Sequence, residues 1–203
     1  MPVVIHQFVQ CPLKNNNYVV ADPETKEAII IDCSHPDNQI LDWINEHGFS
    51  LKYILLTHGH FDHVLGVNYY KNHHKTESYL YKEDVPLLKR INEYTQMLGL
   101  PKADPPKVKG FDLNAEFKVG KYPIKIIPTP GHTQGGVCYL IDGNLFSGDT
   151  LFHGTCGRTD LIESDESKMK SSLDSLFKAL PDETPVYPGH GAPTTIGHER
   201  WLY

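Results

Sequence analysis

The chain has 203 residues, 39% of them hydrophobic and 22% charged, which is enough for a single α/β domain spanning residues 1–203 with a sizeable core. Nineteen basic residues against 25 acidic give a net charge of -6, which speaks against a nucleic-acid-binding surface. No apolar run approaches a membrane span, and the opening Met1-Pro2-Val3-Val4-Ile5-His6 lacks the pattern of a signal peptide, so a cytoplasmic protein with a small-molecule substrate is expected.

In chain order, residues 3–9 and 18–21 read as short strands with a turn-like Asn15-Asn16-Asn17 between them. Ala28–Ile31 is a buried strand ending at Asp32. A helix starts near Pro36 and runs to about His47, with Gly48 as its cap. The strand Tyr53–Leu56 follows, then a short helix from after His63 through Tyr70, and a strand over Glu77–Tyr81. Leu87, Ile91, Tyr94 and Leu98 recur at helical spacing and predict a helix from about Glu83. Pro101, Pro105 and Pro106 make 99–110 irregular, and Lys102, Lys107 and Lys109 make it a solvated loop or, alternatively, a lid.

Strands resume at Glu116–Val119, Tyr122–Ile127, Val137–Ile141 and Leu145–Ser147. Met169, Leu173, Leu176, Phe177 and Leu180 mark the last long helix, and Val186-Tyr187 a final short strand. Helices are separated by several strands, so a simple βαβ alternation fails, and two sheets with helices outside them fit better. Cys11, Cys33, Cys138 and Cys156 are scattered, without metal or redox spacing, and read as reduced thiols.

The chemistry lies in Thr57-His58-Gly59-His60-Phe61-Asp62-His63, directly after an apolar strand. Alternation aims His58 and His60 to one side, whereas adjacent Asp62 and His63 must diverge, which suits two neighbouring metal ions. Three later loops supply further ligand types: Pro130-Gly131-His132, Gly148-Asp149-Thr150 and Pro188-Gly189-His190. Two sets of three histidines and a carboxylate would need eight ligands, and there are seven. Either a carboxylate is shared or water fills a position, and Asp149 is the natural bridge. Imidazole and carboxylate suit two Zn²⁺ ions, and also Fe or Mn.

Asp32, His58-x-His60-x-Asp62-His63, His132, Asp149 and His190, in that order, resemble the metallo-β-lactamase fold superfamily. The segments Thr129-Pro130-Gly131-His132-Thr133, Gly157-Arg158-Thr159-Asp160 and Thr194-Thr195-Ile196-Gly197-His198-Glu199-Arg200 are similar to its glyoxalase II group and short bacterial relatives. The resemblance implies a four-layer αββα sandwich with metals at one edge. It implies one metal on His58, His60 and His132, a second on Asp62, His63 and His190, and Asp149 between them. It places Asp32 behind the ligands as a steadying residue, or else as a turn residue.

The reaction so implied is thioester hydrolysis, with Asp62 and Asp149 as catalytic carboxylates and hydroxide generated between the metals. A mononuclear-iron persulfide dioxygenase, a lactone or phosphoester hydrolase, and a non-catalytic metal-binding protein are the alternatives. Asp149 itself argues against a true β-lactamase, and His60 against flavodiiron-type members. Arg158 is a candidate substrate-binding residue, with a salt bridge to Asp160 as the plainer reading. His73, His74 and His153 read as surface histidines and Cys156 as a packing residue. Oligomeric state is open.

Overall fold

A computed structural model describes residues 1–10 and 13–202, so Cys11 lies outside the described residues. The first sheet is β1 (Val4–Gln10), β2 (Asn15–Ala21), β3 (Glu27–Ile31), β4 (Ser50–Leu55), β5 (Glu77–Tyr81) and β6 (Lys109–Phe111), hydrogen-bonded in that order. The second contains β7 (Phe117–Val119), β8 (Tyr122–Pro128), β9 (Val137–Ile141), β10 (Asn144–Gly148), β13 (Pro185–Pro188) and β14 (Thr194–Thr195), ordered β14-β13-β10-β9-β8-β7. A two-stranded ribbon, β11 (Leu151–Phe152) with β12 (Thr155–Cys156), stands beside it.

Strand alternation builds the layers. Ile29 and Ile31 of β3, Leu55 at the end of β4 and Phe146 of β10 point inward and form the core between the sheets, with Tyr18, Val119 and Tyr139. Their neighbours Ala28, Ile30, Ile54 and Leu56 point outward against α1 (Gln39–Glu46), α2 (Phe61–Val64) and α3 (Val67–His74). On the far side, Cys138 and Leu145 meet Met169, Leu173 and Leu176 of α5 (Glu166–Ala179) and Ile196 of α6 (Ile196–Arg200). The result is the expected αββα sandwich. No helix among the described residues is long and apolar enough to cross a membrane.

Several local expectations are corrected. β3, β4, β5 and β6 are mutually parallel and joined through helices, so half of this sheet does follow βαβ alternation. Asn15-Asn16-Asn17 is no turn but the start of β2, fully buried, paired with β1 and bonded across to the second sheet. Its asparagines are tolerated there because each amide finds partners: Asn16 Nδ2 donates to the carbonyls of Pro188 and Gly191 at 2.9 Å, and Asn17 Oδ1 accepts from Ser34 N and Oγ at 2.8 Å.

The stretch from Lys82 to Arg90 is a 3₁₀ helix, and α4 (Ile91–Met97) is α-helical only beyond it. Pro86 lacks the N–H that an α-helix would need at that place. Residues 99–110 are not a free loop. Asn92 brackets Ala103 with two hydrogen bonds, Asn68 accepts from Lys107 N, Leu100 and Val108 pack on the core, and Lys109 opens strand β6.

Because Phe146 is fully buried between the sheets, Phe146→Ala is expected to lower unfolding stability by roughly 3–5 kcal/mol. Chemical denaturation with an unchanged m-value checks this.

Candidate metal centre

The candidate ligand residues come from one edge of both sheets. His58 and His60 lie between β4 and α2, and Asp62 and His63 within the first turn of α2. His132 follows β8, Asp149 follows β10, and His190 follows β13. All seven expected residues converge. The ring nitrogens of His58, His60 and His132 cluster within 4.8 Å of one another; so do the ligand atoms of Asp62, His63 and His190, and those of His58, His63 and Asp149. Asp149 lies between the two triads, with Oδ1 3.3 Å from His63 Nε2 and Oδ2 3.5 Å from His132 Nε2 and 3.6 Å from His190 Nε2.

The rings are aimed by what stands behind them. Asp32 Oδ2 accepts from His63 Nδ1 at 2.8 Å, which leaves Nε2 facing the cluster. Asp32 is itself held by Thr57, whose N and Oγ donate to its carboxylate at 2.8–3.1 Å. With its hydroxyl proton so used, Thr57 Oγ accepts from His58 Nδ1 at 3.1 Å and turns His58 Nε2 inward. The Arg158 carbonyl accepts from His132 Nδ1 at 2.8 Å and does the same for that ring. Asp32 keeps φ at +60° in the left-handed region, a strained conformation for a non-glycine residue that these bonds hold in place. Asp32 is therefore more than a turn residue.

Three further residues complete the frame, and none was read from the sequence as part of the site. Glu163 Oε1 accepts from His60 Nε2 at 2.7 Å, so His60 presents Nδ1 to the cluster, 2.8 Å from His132 Nε2. Glu163 also accepts from Tyr94 Oη and from Arg90. Asn15 Nδ2 donates to Asp62 Oδ2 at 2.9 Å and lies 3.2–3.3 Å from His63 and His190 Nε2. Asp84, buried, accepts from Gly59 N, Gly135 N and Thr133 Oγ at 2.6–2.8 Å, tying the His58–His60 loop to the His132 loop. Three unrelated positions carrying ordinary polar residues give no spacing signal, which is why only the folded structure shows them.

Electrostatics fit a cation site. Burial, and then the neighbouring imidazoles, hold His58 well below the usual histidine range. Burial acts against the charge on His63, but Asp149, Asp32 and Asp62 outweigh it and raise its pKa. Burial likewise opposes ionisation of Asp62 and Asp149, yet His63 and the other rings keep both carboxyls below their ordinary values. His58 Nε2 and Asp149 Oδ1 are buried without a hydrogen-bond partner. Orphaned lone pairs in a polar, convergent pocket are what a divalent cation satisfies. Glycine permits the close packing: a Cβ at Gly189 would stand 2.3 Å from Asp149 Oδ1 and 2.7 Å from His63 Cε1.

The superfamily profile described as metallo-beta-lactamase superfamily matches residues 12–190. The chain belongs to the metallo-β-lactamase superfamily. Among its relatives, the hydroxyacylglutathione hydrolase GloC of Haemophilus influenzae is 34% identical, over 92% of this chain and 90% of that one. Two solved structures superpose closely. BLEG-1, described as a B3 metallo-beta-lactamase, has a TM-score of 0.88 at 30% identity, covering 98% of this chain and 99% of that one. TTHA1623 in a di-iron-bound form has a TM-score of 0.83 at 32% identity, covering 96% of both. These relatives and the His/Asp cluster make the protein a divalent-metal hydrolase of the superfamily.

The remaining candidates resolve plainly. Arg158 stands at the rim of the cavity over the cluster, but its guanidinium is exposed and pairs with Asp160 at 2.6 and 2.8 Å. His73 and His74 are exposed at the end of α3. His153, also exposed, stacks on His198. Cys33, Cys138 and Cys156 are free thiols.

Glu163→Leu is expected to lower metal affinity about 10–100-fold while Glu163→Gln, which keeps an acceptor, retains most of it; competition with a chromophoric chelator reads both. Asp84→Ala leaves three buried donors without an acceptor and is expected to cost on the order of 3 kcal/mol, measured by denaturant unfolding.

Proposed function

We propose that this chain hydrolyses a thioester at a dinuclear metal centre. The observation that carries the reading is the pair of three-residue ligand sets meeting at Asp149. His58, His60 and His132 would hold one ion, Asp62, His63 and His190 the other, and Asp149 would reach both. Zn²⁺ suits this donor set, and so do Fe and Mn. Bound divalent ions make hydroxide available near neutral pH and polarise a carbonyl.

The protein's own groups do the rest. Asp62 lines the cavity, and its Oδ2 is fixed by Asn15. Its other oxygen is left to accept a hydrogen bond from the attacking water and to orient it toward the substrate carbonyl. The acyl carbon gains a C–O bond and loses its C–S bond, giving a carboxylate and a thiol. A thiolate leaves without help from a strong acid, because a thiol pKa of about 8.5 lies near neutrality. GloC's description as a hydroxyacylglutathione hydrolase supports a thioester over other acyl substrates. The likeness to BLEG-1 makes a β-lactam the competitor to test.

Metal analysis of the purified protein is expected to give two equivalents per chain, with chelator-sensitive hydrolysis of S-lactoylglutathione or of a simpler thioester. His58→Ala should lose one equivalent and nearly all turnover. Full metal loading with no thioester turnover, with faster β-lactam cleavage, or with a single iron and thiol-dependent oxygen uptake would each overturn the reading.

A further inference from the structure

The cavity above the ligand cluster has a volume of about 450 Å³ and reaches His60, Asp62, His132, Asp149 and His190 at its floor. Its walls are Leu13, Phe61, Tyr94, Met97, Leu98 and Leu161. Large hydrophobic side chains stand exposed at only nine of the described positions, and three of them, Leu13, Met97 and Leu98, line this one cavity. Met97 is 81% exposed. Apolar groups held in water beside a reactive centre mark a binding surface.

The polar content of the walls is small. The Tyr94 hydroxyl donates to Glu163 Oε1, so what Tyr94 has left to offer the cavity is its ring, which stacks on Phe61. Arg90 lies against the Tyr94 ring and pairs with Glu93 and Glu163. Arg158 is the one basic residue of the wall outside the histidines, and Asp160 already occupies its fork. A glutathione moiety brings two carboxylates and an ammonium, and these walls offer it almost no free counter-charge.

Resting on the thioesterase reading, we propose that the preferred substrate is a thioester of a hydrocarbon-rich carboxylic acid, with the acyl chain lying along Tyr94, Met97 and Leu98. The hydrocarbon belongs to the acyl side because biological thiol carriers are polar. The scissile carbonyl then sits over the ligand cluster at the cavity floor, and the thiol limb leaves past Arg158. Hydrolysis consumes one water and releases the fatty carboxylate and the thiol.

The test is a series of thioesters of one small neutral thiol, from acetyl to octanoyl, run on the metal-loaded full chain beside S-lactoylglutathione. The expected result is a rise in kcat/KM of about fourfold per added methylene, with octanoyl exceeding lactoylglutathione. The double substitution Met97→Ser with Leu98→Ser should cut the octanoyl-to-acetyl ratio at least tenfold, with folding followed by circular dichroism. Turnover of every ester with a flat or falling dependence on length would overturn this inference and leave the thioesterase standing. No turnover of any ester at full metal content would overturn both. A rising dependence that the double variant leaves untouched would overturn the assignment of the acyl chain to this wall. A dimer in sedimentation that the variant dissolves, with chain-length preference unchanged, would make the patch a contact between copies and overturn the assignment.

Discussion

Asp32, Thr57 and His63 form a short relay of hydrogen bonds at the junction of β3, β4 and α2, and the site depends on it. Asp32 sits where β3 ends, takes a left-handed conformation, and accepts from both the backbone and the hydroxyl of Thr57 as well as from His63. One carboxylate thereby fixes the exit of β4, the hydroxyl orientation of Thr57 and, through that hydroxyl, the tautomer of His58. An aspartate is suited to this place because its short side chain tolerates positive φ and its two oxygens offer enough lone pairs for three donors. Replacing it would disturb two ligands of different triads at once.

The same logic repeats around the cluster with different chemistry. A backbone carbonyl holds His132, a carboxylate on a separate loop holds His60, and an asparagine amide holds Asp62. These bonds hold the side chains in the orientations that bring them together at the cluster. This is preorganisation by hydrogen bonding, and it explains why so many titratable groups can be buried together without collapse of the fold.

How much of this the sequence disclosed follows from physical range. Candidate ligands that share one short stretch, or that sit in glycine-shaped loops after apolar strands, leave a local signature, and the fold brings the seven together at one edge. The core strands were legible for the same reason, since Ile29–Ile31 and Leu145-Phe146 are apolar runs. What escaped is non-local. Asn15 and Asn16 looked like turn residues because asparagine has poor strand propensity; their buried places depend on His190 beside Asn15 and on the Pro188 and Gly191 carbonyls bonded by Asn16, about 175 residues away in the chain. Strand β6 was hidden behind prolines and lysines because it is an edge strand, where one row of backbone groups needs no partner. Glu163 and Asp84 carry ordinary residue types, and only their contacts distinguish them.

The ligand loops divide between the two sheets: His58, His60, Asp62 and His63 belong to the first, His132, Asp149 and His190 to the second. The centre thus spans the seam of the sandwich at its open edge, where Asn16 and Tyr18 also reach across to the Gly189 and Pro188 carbonyls. An ion seated there rivets one sheet to the other, and by linkage its binding free energy adds to the resistance of the two layers to sliding apart. Metal uptake at this cluster would therefore also be a mechanical event. A loaded molecule would be a stiffer sandwich, tightened most along the edge that carries the cluster.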